Sequence, residues 1–252
     1  MKPTTPDSIS LLARLINGEA HLWLTKPGDI KKPGQLAAYA ALLSPEETAR
    51  HKRFRFEQDQ HHYLVSHALV RKALSFYGEV DPASWQFSEN AHGKPEITVP
   101  SIPTPLRFNL SHTEGLVACV ITSGADCGVD AETVTAPHNA MGVAKKMFAS
   151  TEVSVLETLD GEAFLAQFIR YWTLREAYCK ALGVGIAHDK KDYAFDLTDM
   201  VEAHIRFDEA SGNHSDDWQF SLLKPTPDHI VAVAIQTGES QQKRIVSEFI
   251  IP

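Results

Sequence analysis

Lys72-Ala73-Leu74 recurs 108 positions later as Lys180-Ala181-Leu182, and other echoes follow in the same order. Asp81 and Trp85-Gln86-Phe87 return, again after 108 positions, as Asp189 and Tyr193-Ala194-Phe195. Ser44-Pro45-Glu46 resembles Ser150-Thr151-Glu152 at an offset of 106. Leu106-Arg107-Phe108-Asn109-Leu110 resembles Trp218-Gln219-Phe220-Ser221-Leu222, with 112 positions between the phenylalanines. One short match arises readily by chance. A series in one order at a nearly constant offset marks an internal duplication, which restricts a chain to two copies of one plan. The 252 residues therefore read as an N-terminal half, 1–124, and a C-terminal half, 125–252, divided near Ser123-Gly124-Ala125.

Each half opens on a strand, His21 to Leu24 and Gly128 to Glu132. A helical region follows, then a long helix, about Asp59 to Tyr77 and about Phe164 to Leu182. Ser44-Pro45-Glu46-Glu47 has the order of a helix start, with serine as N-cap, proline next and glutamate in the first turn. Leu116 to Ile121 and Ile230 to Ile235 are rich in Val and Ile, the pattern of strands buried on both faces. Helices segregated onto antiparallel sheets predict an α+β fold of two pseudo-symmetric halves. At the offset of 108, Asp130 and Glu132 stand where the first half has Leu22 and Leu24. Only one half is acidic there, so a single site at the interface between the halves is expected.

On a strand, Asp130 and Glu132 project from one face. On a helix, Trp172, Glu176 and Lys180 stack at i, i+4 and i+8. Three carboxylates and a lysine gathered in this way suit a hard divalent ion such as Mg²⁺, which takes a few carboxylates together with substrate phosphates. The plain alternatives are a strand end running into solvent and a surface Glu–Lys pair worth about 0.3–0.5 kcal/mol. Ser111-His112 is no catalytic dyad, because strand neighbours point to opposite faces. His92-Gly93-Lys94-Pro95 is a turn whose lysine suits a phosphate or simply solvent. Arg50, Lys52, Arg53 and Arg55, with His51, His61 and His62 nearby, form either a solvated face or an anion-binding patch. There is no Walker loop, no G-x-G-x-x-G and no HExxH.

A formal net charge of −8 argues against a nucleic-acid partner, which calls for a broad basic face. Cys119, Cys127 and Cys179 have no zinc-type spacing, and their odd number fits reduced thiols in a cytoplasmic protein. The start, Met1 to Pro6, is polar, and no apolar run is long enough to span a membrane.

Asn109-Leu110-Ser111-His112, Gly128-Val129-Asp130-Ala131-Glu132 and Trp172-Thr173-Leu174-Arg175-Glu176-Ala177-Tyr178-Cys179-Lys180-Ala181 resemble the signature blocks of the Sfp-type 4′-phosphopantetheinyl transferases. The resemblance runs from about Ser44 to Lys180, with Ser44 to Arg71 and Gly93-Lys94-Pro95 weaker. It implies transfer of the phosphopantetheine arm of coenzyme A to a serine of an acyl or peptidyl carrier protein, with release of adenosine 3′,5′-bisphosphate. By resemblance, Asp130, Glu132 and Glu176 bind Mg²⁺, Glu176 is the candidate base, and Lys180 and His112 contact phosphate oxygens. Lys94 and Ser111 line the coenzyme pocket, and Arg50 faces the 3′-phosphate with help from His62. The chain departs from its relatives at Glu47, where they commonly carry lysine. A monomer is expected, since one chain carries both halves. The rival readings are a Mg²⁺-dependent hydrolase of nucleotide pyrophosphates and a non-catalytic scaffold that binds coenzyme A or a carrier.

Overall fold

The computed structural model describes residues 8–135, 137–186, 192–197, 202–238 and 242–252. Asp189 of the repeat and the polar stretch Met1 to Pro6 lie outside the described residues. The chain forms two units, residues 1–124 joined by 244–252, and residues 125–243.

The first unit runs α1 (Ser8–Ile16), β1 (Glu19–Thr25), α2 (Pro33–Ala40), α3 (Pro45–His51), α4 (Glu57–Ser75), β2 (Gln86–Glu89), β3 (Pro95–Val99), β4 (Leu106–Thr113) and β5 (Leu116–Ser123). The second runs β6 (Cys127–Thr133), α5 (Ala140–Met147), α6 (Ser150–Leu156), α7 (Gly161–Leu182), β7 (Tyr193–Asp196), β8 (Glu202–Phe207), β9 (Trp218–Thr226) and β10 (His229–Gln236). The last strand, β11 (Arg244–Phe249), returns to the first unit.

This is the α+β arrangement the duplication predicts. In the first unit the sheet order is β11-β1-β5-β4, beside a β2-β3 hairpin; in the second it is β6-β10-β9-β8-β7. In each unit the opening strand pairs antiparallel with the last strand of a hairpin. The registers repeat as well. Leu22 lies opposite Val120 and Leu24 opposite Ala118, while Asp130 lies opposite Ala232 and Glu132 opposite Ile230. The inner strands β5 and β10 are almost wholly buried, as their unbroken apolar runs require. Helix α4 covers one sheet with Leu69, Ala73 and Leu74, and α7 covers the other with Phe168, Leu174 and Ala177.

The short helices repeat more closely than their sequences do. Ser44 caps α3 in a capping box, its amide donating to the Glu47 carboxylate at 2.8 Å. At α6 the Ala149 amide donates to Glu152 at 2.9 Å. The counterpart of Ser44 is therefore Ala149, and the predicted match of Ser44 to Ser150 is out by one residue. The carboxylate three positions into the helix defines the start, whatever residue precedes it. Glu47 then pairs with Arg71 of α4 at 2.7 Å, and Glu152 with Arg175 of α7 at 2.6 Å. Arg71 goes on to the Trp85 carbonyl, and Arg175 to the Tyr193 carbonyl.

The division into 1–124 and 125–252 does not hold at the chain's end. β11 runs parallel to β1, from Glu19 opposite Arg244 to Leu24 opposite Phe249. Glu19 anchors this edge by accepting from Arg244 at 2.6 Å, Arg14 at 2.8 Å and His21 at 2.9 Å. The far nitrogen of His21 meets the Tyr77 hydroxyl at 2.6 Å. Burial opposes the Glu19 charge, but those hydrogen bonds bring its pKa down to about 2.

Candidate functional site

Residues 128–132 and 172–180 are brought together because β6 and α7 pack with no side chain at one point. A Cβ on Gly128 would overlap the Ala177 carbonyl and the Ala181 amide. Glycine in a strand interior marks just such a close backbone approach. From residue 171 to 181, α7 is buried except at Trp172, Glu176 and Lys180, which are half-buried. The stripe read from helical spacing is thus the open edge of a buried helix. Gly183, at φ +69°, lets the chain leave α7 in the left-handed conformation.

Asp130 is buried, and its Oδ1 accepts from Lys180 Nζ at 2.6 Å. Glu132, one strand period on, is half-buried and accepts from the Trp172 indole N–H at 2.9 Å. Burial raises the Glu132 pKa first, and the charge of Asp130 raises it further. The Trp172 bond and the Lys180 charge oppose that rise, and Glu176 adds to it. Glu132 therefore senses both other carboxylates, and the lysine answers part of their charge. Lys180 is half-buried and turns to Asp130, so it is more than a solvated surface lysine.

Among the described residues no group of three or more His, Cys, Asp or Glu stands close enough to hold a metal ion as arranged. The donor set nonetheless fits a hard dication. It consists of carboxylate oxygens with no sulfur or imidazole, and the mutual repulsion sensed at Glu132 is the kind a cation relieves. Asp130, Glu132 and Glu176 are the residues that would hold it.

The other candidates belong to the first unit. On β4, Ser111 is buried and His112 exposed, as strand alternation requires. His112 faces the His62 ring of α4 with centroids 6.5 Å apart. Burial lowers the His62 pKa and His61 lowers it further, against Asp59 and Glu114, so His62 favours the neutral ring. Lys94 is half-buried in the β2–β3 turn, its amide on Asn90 Oδ1 at 3.0 Å. Arg50 lines a cleft of about 650 Å³ and meets Glu89 at 3.4 Å. Two partners escaped sequence reasoning, Glu89 for Arg50 and Trp172 for Glu132. They lie 39 and 40 positions away. The glycine of Gly128 was a usable signal, because strands seldom carry one without cause.

Known proteins match in both units. The family described as the 4′-phosphopantetheinyl transferase superfamily matches residues 126–234. The one described as 4′-phosphopantetheinyl transferase, N-terminal, matches residues 31–124. The chain is 32% identical to the 4′-phosphopantetheinyl transferase HetI of Nostoc sp., over 88% of this chain and 89% of that one. It is 31% identical to the 4′-phosphopantetheinyl transferase Sfp of Bacillus subtilis, over 59% of this chain and 64% of that one. It is 24% identical to the mouse L-aminoadipate-semialdehyde dehydrogenase-phosphopantetheinyl transferase, over 81% and 71%. The chain belongs to the 4′-phosphopantetheinyl transferase family and is an enzyme of that class.

Proposed function

We propose that the protein transfers the 4′-phosphopantetheine arm of coenzyme A to a serine of an apo acyl or peptidyl carrier protein, in a Mg²⁺-dependent reaction that releases adenosine 3′,5′-bisphosphate. The observation that most supports this is the acidic trio sensed at Glu132, with Lys180 set against it. Asp130, Glu132 and Glu176 would hold the Mg²⁺. When bound, that ion neutralises the pyrophosphate and steadies the leaving phosphate.

The chain's own groups do the rest. Lys180 offers a cation where negative charge develops, and its contact with Asp130 keeps it aimed into the site. Trp172 fixes one oxygen of Glu132. Glu176 takes the proton of the attacking serine hydroxyl as the P–O bond forms. Lys94, Ser111 and His112 serve the coenzyme, and Arg50 and His62 its ribose end. In-line phosphoryl transfer rests on such positioning and charge neutralisation more than on covalent catalysis.

Cys119, Cys127 and Cys179 are buried thiols, which fits a reducing cytoplasm. Among the described residues no helix is long and apolar enough to cross a membrane. We take the working form to be a monomer, to be checked by sedimentation. The deciding experiment incubates the protein with coenzyme A, Mg²⁺ and a panel of apo carriers, followed by intact-mass spectrometry. Transfer adds the mass of the phosphopantetheine arm to a carrier. Hydrolysis of coenzyme A with every carrier unchanged would overturn the reading.

A further inference from the structure

We propose that the turn from α3 into α4, residues 52–56, is a docking surface for the carrier protein, and that the carrier this enzyme serves presents to it an acidic face with an apolar socket. This rests on the transferase reading above and deepens it by naming the class of partner.

Lys52-Arg53-Phe54-Arg55-Phe56 holds two phenylalanines in opposite settings. Phe54 is half-buried, its ring 5.3 Å from that of Tyr63 on α4. Phe56 is 70% exposed, more than any other large apolar side chain among the described residues. It also stands at the N-cap of α4 and supplies no cap, where Asn, Asp or Ser is strongly preferred. One residue thus breaks two local rules, which natural sequences do chiefly at functional sites. A ring projecting from a turn is an anchor for a partner's pocket.

Cations flank it. Lys52, Arg53 and Arg55 are exposed, and none makes an ion pair among the described residues. Lys31 and Lys32, also exposed, follow Ile30, whose carbonyl accepts from His61 of α4 at 2.7 Å. The acids of the same two segments are Asp29, Glu57 and Asp59, so five cations face three carboxylates. Over the whole chain the balance is reversed, with 32 Asp and Glu against 24 Lys and Arg. An acidic partner is repelled by the molecule at large and drawn to this turn, which fixes how it lands.

Arginine forks pair with carboxylates, and interfaces concentrate arginine and aromatic anchors. An anionic bilayer fits less well, because Glu57 and Asp59 lie within one helical turn of Phe56 and would meet it beside the ring. Exposed cations around one anchor suit a partner that lands quickly and leaves after each transfer.

The test measures loading of a panel of apo carriers of differing surface charge by intact mass. It compares the natural protein with Phe56→Ser and with the double variant Arg53→Glu, Arg55→Glu. In the natural protein acidic carriers should load best, with kcat/KM falling as salt rises. Each variant should lower kcat/KM for those carriers by about tenfold or more through the KM of the carrier, with the KM of coenzyme A unchanged. The double variant should also lose the salt dependence. Phe56→Ser supplies the missing cap, so its urea midpoint should hold or rise. Natural loading by either variant, a matching rise in the KM of coenzyme A, or a lowered midpoint in Phe56→Ser overturns the inference and leaves the transferase reading standing. Natural loading with binding to phosphatidylglycerol vesicles that Phe56→Ser abolishes would assign the turn to a lipid surface instead. Failure of the natural protein to load any carrier overturns the transferase reading and the inference with it.

Discussion

Trp172 donates its indole N–H to one oxygen of Glu132, and in the proposed metal site it would decide which oxygen meets the cation. Partners of this kind commonly contribute about tenfold or more to metal affinity. Trp172→Phe keeps the ring and removes the donor, and calorimetric titration with Mg²⁺ should show about that loss with the fold intact. Asp130→Ala and Glu132→Ala should abolish both binding and transfer, and activity retained in either would remove the metal assignment. Ligand carboxylates must be ionised. Glu132 is raised above 4.5, so Mg²⁺ affinity should begin to fall, as pH is lowered, at a higher pH than an ordinary glutamate would set. At this scale the sequence was legible where local geometry governs. A two-residue strand period pairs Asp130 with Glu132, and a four-residue helical spacing stacks Trp172, Glu176 and Lys180. The contact of Lys180 with Asp130 spans 50 positions and left no local trace.

Elements meet through backbone shape as much as through side chains. At Gly128 the obstacle to a Cβ is the backbone of α7, which cannot rotate aside. Gly128→Ala should cost about 1–3 kcal/mol in denaturant unfolding and displace Lys180 from Asp130, so transfer should fall further than stability. The pairs that tie short helix to long helix are of a different order. Arg175 is 0% exposed and bonds Glu152 and a strand carbonyl. Arg175→Ala strands a buried carboxylate and should cost about 3–5 kcal/mol. Lys145 and Glu157, exposed at 58% and 51%, sit at a similar distance, yet removing that pair should cost less than about 1 kcal/mol. The start of α3 was readable from its capping residues, and the long helices from apolar spacing. The one-residue slip at Ser150 arose because Ala149 is no N-cap by residue type, and the carboxylate that completes the turn does the capping.

At the scale of the whole molecule, two carboxylates of the first unit carry acid sensitivity. Glu19 and Glu47 both fall from 4.5 to about 2 on folding. A depressed carboxylate contributes stability that is present above the unfolded value and is lost as pH falls toward the folded one. Stability should therefore drop between about pH 4.5 and 2, by about 2 kcal/mol for Glu47. Glu47→Gln should flatten that part of a urea-unfolding profile. Duplication and class were visible in the repeats, but the parallel pairing of β1 with β11 was not. Its partners stand 225 positions apart, and no periodicity reports a contact of that span. The same strand orders events at the ribosome. Residues 125–243 are all synthesised before Arg244, while β1, made near the start, waits for a neighbour made near the end. Released chains that end before residue 244 should therefore carry a protease-resistant second unit and a first unit still open to cleavage.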